Sequence, residues 1–215
     1  MIDFWDRYKR NRGAVVGFVI VVLILFMAAT AWMFYPDDPF RLAGKPLSPP
    51  FTNGFLLGSD SLGRDVAAGI VHGAKTSLLI GLVATLVSVF IGIFFGAFAG
   101  YFGGRVDDLL MRITEIFQTI PSFIFAILLV AIMKPSIISI VIAIAVVSWP
   151  GVARLVRGEF LSIKNREFVQ ACHTLGMGDI RIMLREILPN CLSPIIVIGS
   201  LMIATAILIE SGLAF

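Results

Sequence analysis

Of the chain's 215 residues, 58% are hydrophobic and 14% charged, whereas a soluble domain stands nearer half apolar and a quarter charged. The composition excludes an ordinary water-soluble enzyme and describes an integral membrane protein, all-α, built as a polytopic bundle of transmembrane helices. With a net charge of only +3, the placement of the 17 basic residues carries more information than their number, and nucleic acid is not an expected partner.

Three regions are expected along the chain. Residues 1–35 form a tail and an anchor helix, 36–76 an outer loop with an interfacial helix, and 77–215 a core of spans that contains a polar loop at 157–190. The tail carries Arg7, Lys9, Arg10 and Arg12, and Ala14 to Tyr35 then runs without a charge, long enough as a helix to cross a bilayer. Ala29-Thr30-Ala31 has the look of a signal-peptidase site, but the apolar run exceeds a secretory signal, so the segment reads as an uncleaved anchor. A loop rich in Pro and Gly follows, and Val66, Ile70 and Val71 then make one face of a short interfacial helix, with Asp60 and Asp65 near its N-terminal end. Gly69, Gly73, Lys75 and Thr76 resemble a phosphate loop only superficially. Ala74 separates the glycine from the lysine and no strand precedes, so any energy source lies in another polypeptide.

Leu78 to Phe102 is the second span. Gly92, Gly96 and Gly100 recur every four residues on one face, a spacing that lets another helix approach closely, whether from this chain or from a second subunit. Arg105 to Gln118 is amphipathic, and the run from Ile120 to Met133 is expected to continue it through the membrane with a kink at Pro121. Lys134-Pro135 makes a tight turn, Ser136 to Pro150 is the fourth span, and Trp149-Pro150-Gly151 loosens its end. Cys191 to Glu210 is the fifth. With this threading 12 basic residues lie inside and 5 outside, which places the N-terminus and the polar loop in the cytoplasm.

The polar loop reads as helix, glycine turn, helix. Phe168, Cys172 and Leu175 share one stripe of a short helix from about Glu167, flanked by Arg166, Gln170 and His173. Gly176 and Gly178 are expected at positive φ, Asp179 as the cap of the next helix, and Pro189 as its end. No catalytic constellation and no metal site is expected: His72 and His173 are placed on opposite membrane faces, and Cys172 and Cys191 read as packing residues in a reducing compartment. Glu210, at the edge of the last span, is an equal candidate for interhelical bonding and for solute contact.

Two patterns carry a resemblance. Gln170-Ala171-Cys172, three residues, Gly176, then Leu188-Pro189 after a helical stretch is similar to the coupling loop of the membrane subunits of binding-protein-dependent ABC importers, with Gln170 in place of Glu, Cys172 in place of Ala and Glu186 at a usually apolar position. Gly58, Asp60, Gly63, Arg64 and Asp65, followed by Gly73, Ser77 and Leu78, resemble the segment before the core in permeases that import di- and oligopeptides or nickel. The resemblance implies the second permease subunit of such a system in a bacterial inner membrane. Glu167, Gln170, Ala171, Cys172, His173, Leu175, Gly176, Asp179, Leu188 and Pro189 then become the ATPase-coupling residues. It also implies two ATPase subunits that carry ATP and Mg, a homologous permease subunit and an extracytoplasmic binding protein, with no cofactor in this chain. Five spans are visible, and the family pattern leads one to expect a sixth beyond the C-terminus. Peptide is the expected solute and nickel the alternative. An ion-gradient transporter would need charged residues within the membrane or an inverted repeat, neither of which stands out; a scaffold that recruits a soluble partner through the loop is the third reading.

Overall fold

A computed structural model describes residues 8–52 and 54–213, so Arg7 of the basic tail lies outside the described residues. The chain divides into two compact units, Met1–Ser77 and Leu78–Phe215.

In the first unit, helix α1 (Arg12–Phe34) starts where the Asn11 side chain accepts a hydrogen bond from the Ala14 N–H. It is apolar on every side and exposes Phe18, Leu23 and Phe26 by half or more, the surface expected of a helix solvated by lipid. Its 23 residues rise about 34 Å, enough to cross a bilayer.

The loop that follows is fastened by the glycines and carboxylates of the outer motif. Gly63 (φ +81°) passes so close to the Gly44 carbonyl that any side chain would collide with it, and Gly58 (φ +87°) faces the Ser48 carbonyl in the same way. The Gly63 carbonyl in turn accepts from the Ala43 and Gly44 N–H groups. Asp60 Oδ1 accepts from the N–H groups of Leu62 and Arg64, each at 2.8 Å, while Asp65 Oδ1 accepts from Ala67 at the start of the next helix. Arg64 lays its guanidinium over the Phe40 ring, 5.5 Å from the centroid. His72 Nε2 lies 2.9 Å from the Tyr35 carbonyl.

The Arg64 N–H, and after it the Leu62 N–H, hold the Asp60 carboxyl below the usual carboxylate range. A depressed folded pKa means that the stabilisation is present above the unfolded value, about pH 4, and is lost as pH falls through the folded value. Acid should therefore speed amide exchange at Arg64 only below about pH 4. In Asp60→Asn that acid step should be absent; an unchanged step would assign it to another carboxyl.

Helix α2 runs unbroken from Val66 to Phe102, so the separate interfacial helix expected before Ser77 does not exist. Asp65 caps the start, no proline follows until Pro121, and extending a formed helix is easier than nucleating a second one.

The second unit comprises Leu78–Phe102 of α2, then α3 (Gly104–Gln118), α4 (Ser122–Met133), α5 (Ile137–Ile163), α6 (Glu167–Thr174) and a rod from Asp179 to Leu213. Helix α5 occupies the middle: Val152, Val156 and Phe160 are fully buried, and Trp149 packs at a tilt against Phe95 and edge-on against Phe117. Pro150 sits inside it without ending it. Gly92, Gly96 and Gly100 all face α5, against Val152, against Ala153 and Val156, and against Arg157 and Phe160, so the partner of the glycine face is in this chain. Gly81 receives Ile203 and Ile207 of the rod.

The expected third span is broken rather than kinked. Helices α3 and α4 meet at 79° across Thr119–Pro121. Pro121 lacks an N–H and disfavours helical geometry at Ile120, so α3 ends before it and α4 begins after it. Among the described residues four helices are long and apolar enough to cross a membrane, and the bent pair makes a fifth if it counts as one passage. No strand longer than an isolated bridge occurs among the described residues, so the fold is all-α and polytopic.

Candidate functional site

The polar loop is anchored at one end of the second unit. After α5 the chain turns at Asn165, and α6 lays Val169 on the bundle with none of its surface exposed, beside the half-buried Cys172. Phe168 and Leu175, expected to share that buried stripe, are instead exposed, Leu175 by 81%. An eight-residue helix turns only one narrow face inward, and Val169 occupies it.

Helix α6 ends in a Schellman turn. The Met177 N–H donates to the Cys172 carbonyl (3.1 Å) and the Gly176 N–H to that of His173 (2.9 Å), with Gly176 at φ +74°. Cys172 and Met177, the apolar pair that accompanies such a turn, both pack on the core. Gly178 does not share the positive φ; its φ of −71° and ψ of 148° make it the residue preceding α7 (Asp179–Ile182), and Asp179 is the first helical residue rather than the cap.

The helix then continues through a π turn, Met183–Ile187, into α8 (Leu188–Leu213), and Pro189 does not close it. In an unbroken α-helix the proline ring would press on the carbonyl four residues back; one widened turn ahead of Pro189 relieves that contact. Ile182, Met183 and Ile187 face the core, and full burial of such a side chain contributes about 1.5–3 kcal/mol.

Two residues absent from the motif tie the loop to the bundle, and an ion pair braces the helices beside it. The Tyr101 hydroxyl, near the end of α2, donates to Asp179 Oδ1 at 2.7 Å and lies 3.4 Å from His173 Nε2, with the His173 ring stacked on it. One side chain thus touches both helices of the loop. Lys164 Nζ donates to the terminal carbonyls of Gly100 and Tyr101. Arg157 of α5 clamps Asp107 of α3 through two parallel hydrogen bonds, Nη2 to Oδ2 at 2.6 Å. A tyrosine at the end of an apolar run was a visible signal; its partners more than seventy positions away were not.

The remaining loop residues divide by exposure. Glu167, Gln170, Ala171, His173, Gly176, Asp179 and Pro189 are exposed, and Cys172 and Leu188 are half-buried. Gln170 bonds back to the Asn165 carbonyl, and its own carbonyl accepts from Thr174. The site therefore has an apolar underside fixed in the bundle and an outer face of mixed polarity with Leu175 at its tip. Among the described residues no group of three or more His, Cys, Asp or Glu side chains is arranged to hold a metal ion. Glu210 is half-buried in α8.

Comparison with known proteins gives a consistent set of matches. Residues 92–215 match the binding-protein-dependent transport system inner membrane component, and residues 1–50 match the N-terminal transmembrane domain of oligopeptide transport permease C. The chain is 45% identical to the dipeptide transport system permease protein of Escherichia coli K12, over 99% of its own length and 73% of the relative's. To the di/tripeptide transport system permease protein of Pseudomonas aeruginosa it is 40% identical, over 99% and 72%. To the oligopeptide transport system permease protein of Escherichia coli K12 it is 41% identical, over 99% and 71%.

Proposed function

The chain belongs to the inner membrane components of binding-protein-dependent transport systems, and from that membership we propose that it is the permease subunit of an ATP-driven importer of dipeptides and short oligopeptides. The observation that carries the reading is the loop itself, buried beneath at Val169 and Ile182 and open above at Leu175. The peptide class rests on the names of the relatives, which are dipeptide, di/tripeptide and oligopeptide transport permeases.

In this reading the N-terminus and the loop face the cytoplasm, where two nucleotide-binding subunits receive the outer face of α6. Glu167, Gln170, His173 and Leu175 make the contact surface. Cys172, Gly176, Leu188 and Pro189 set the shape behind it. ATP and Mg belong to those subunits, and this chain does no covalent chemistry. A loaded extracytoplasmic binding protein delivers the peptide on the opposite side, and the route runs between this subunit and a homologous one.

Force travels through rigid contacts. When the nucleotide-binding subunits close, α6 moves; Tyr101 passes that motion to α2, Lys164 holds the end of α2 to α5, and Arg157 carries it to α3. Glycine-mediated backbone contact between α2 and α5 leaves little room for the motion to dissipate.

Two experiments test the assignment. A photoreactive residue at His173 should capture a nucleotide-binding subunit in membranes of cells that express the whole system; capture of none would remove the docking face. Gly176→Val places a β-branched residue at φ +74° and should break the Schellman turn, although open space surrounds the position. The expected outcome is at least a tenfold loss of uptake at unchanged membrane level, and normal uptake would sink the coupling role.

A further inference from the structure

On one face of the second unit, α2 and the rod leave an open furrow of about 420 Å³. Phe90, Phe94 and Phe98 of α2 border it on one side and Ile180 and Leu184 on the other, and Phe90 is 76% exposed. The rings of Phe94 and Phe98 lie 4.8 Å apart and those of Phe98 and Phe102 5.9 Å apart, an aromatic ladder running toward the polar end of the helix.

There the furrow opens into a wider concavity of about 940 Å³, with which it shares Ile180 and Leu184. Phe102, Asp179, Arg181 and Arg185 border this second space. Asp179 is engaged by the Tyr101 hydroxyl. Arg181 and Arg185 stand one helical turn apart, both exposed, and neither has a carboxylate partner among the described residues. The charge at the mouth is therefore positive.

The furrow lies along the charge-free stretch of α2, at membrane depth, so its occupant must be apolar there. The two arginines at its polar end favour an anion at headgroup level. A partner helix that filled the furrow would have to bring its own acid to the arginines, whereas a lipid with a phosphate carries both halves of the complement. We infer that this face of the subunit binds an anionic phospholipid, acyl chain along Phe90, Phe94 and Phe98 and phosphate against Arg181 and Arg185. This site goes beyond the transport reading, because it needs only that the chain spans a bilayer.

The test uses the complete transport complex in vesicles that contain phosphatidylglycerol or phosphatidylcholine carrying a photoreactive group in one acyl chain, at equal density, with the labelled peptides mapped. A basic residue near the surface favours an anionic lipid about fivefold, so phosphatidylglycerol should label the 90–98 and 180–188 segments about thirtyfold over phosphatidylcholine. Arg181→Gln with Arg185→Gln should bring that ratio near one while phosphatidylcholine labelling stays constant, which shows that the furrow is intact. Leu184→Trp, which fills the furrow and leaves both arginines, should reduce labelling by both lipids. Equal labelling of the wild type, a preference that survives the double substitution, or replacement of lipid label by cross-linking to a second membrane polypeptide would each overturn the assignment.

Discussion

Arg157→Met should destabilise the second unit by about 2–4 kcal/mol, although methionine keeps most of the apolar stem. The substitution leaves the Asp107 carboxylate, whose side chain is only 13% exposed, without the guanidinium that holds both its oxygens. Removing one member of a buried pair is costly because the remaining charge stays desolvated. The value is set about 1 kcal/mol below the usual range of roughly 3–5 kcal/mol because the Arg157 side chain is itself 35% exposed and water screens part of the loss. Asp107→Leu together with Arg157→Met should recover most of the stability, since an apolar pair of similar bulk has no stranded charge. Thermal unfolding of the purified subunit in one detergent checks both variants. If the double variant is as damaged as the single one, the clamp contributes through shape rather than charge, and the route from α5 to α3 loses its electrostatic basis.

Gly96→Val should be as damaging, by about 3 kcal/mol, for a reason that has nothing to do with charge. A Cβ there would run into the Ala153 carbonyl and stand 2.7 Å from the Val156 Cβ and 3.0 Å from the Arg157 N–H nitrogen. Two of those three obstacles are backbone, which cannot rotate aside, so α2 and α5 must separate. Gly73 in the same helix has nothing within 4 Å, and Gly73→Ala should stabilise by about 0.4–1 kcal/mol by restricting the unfolded chain. The two substitutions add side chains to the same helix and are predicted to differ in sign. Equal effects would mean that helix propensity, not the α2–α5 contact, decides.

What could be read from the sequence follows from which interactions are local. The helix content and the Gly176 turn depend on neighbours within a few positions, and periodicity and residue type show them. The glycine face was legible as a contact but not as a contact with α5, because spacing describes one surface and says nothing of its complement. Proline misled twice. Pro189 looked like a stop and Pro121 like a kink; a π turn lets the first lie within a continuous rod, and the residue before the second yields an 79° break. The stripe on α6 was right at Cys172, which packs on the core, and wrong on either side of it, since Val169 rather than Phe168 meets the core and Leu175 is exposed. Tyr101, Lys164 and Asp107 were passed over because each acts through partners 50 or more residues away.

The most direct test of the account is uptake of labelled dipeptide and labelled nickel, offered separately to cells lacking and then regaining this subunit, with ATP replete or depleted. The account predicts that the subunit restores dipeptide uptake and that ATP depletion abolishes it. Restored nickel uptake without peptide uptake would contradict the solute, and peptide uptake that survives ATP depletion would contradict the coupling mechanism.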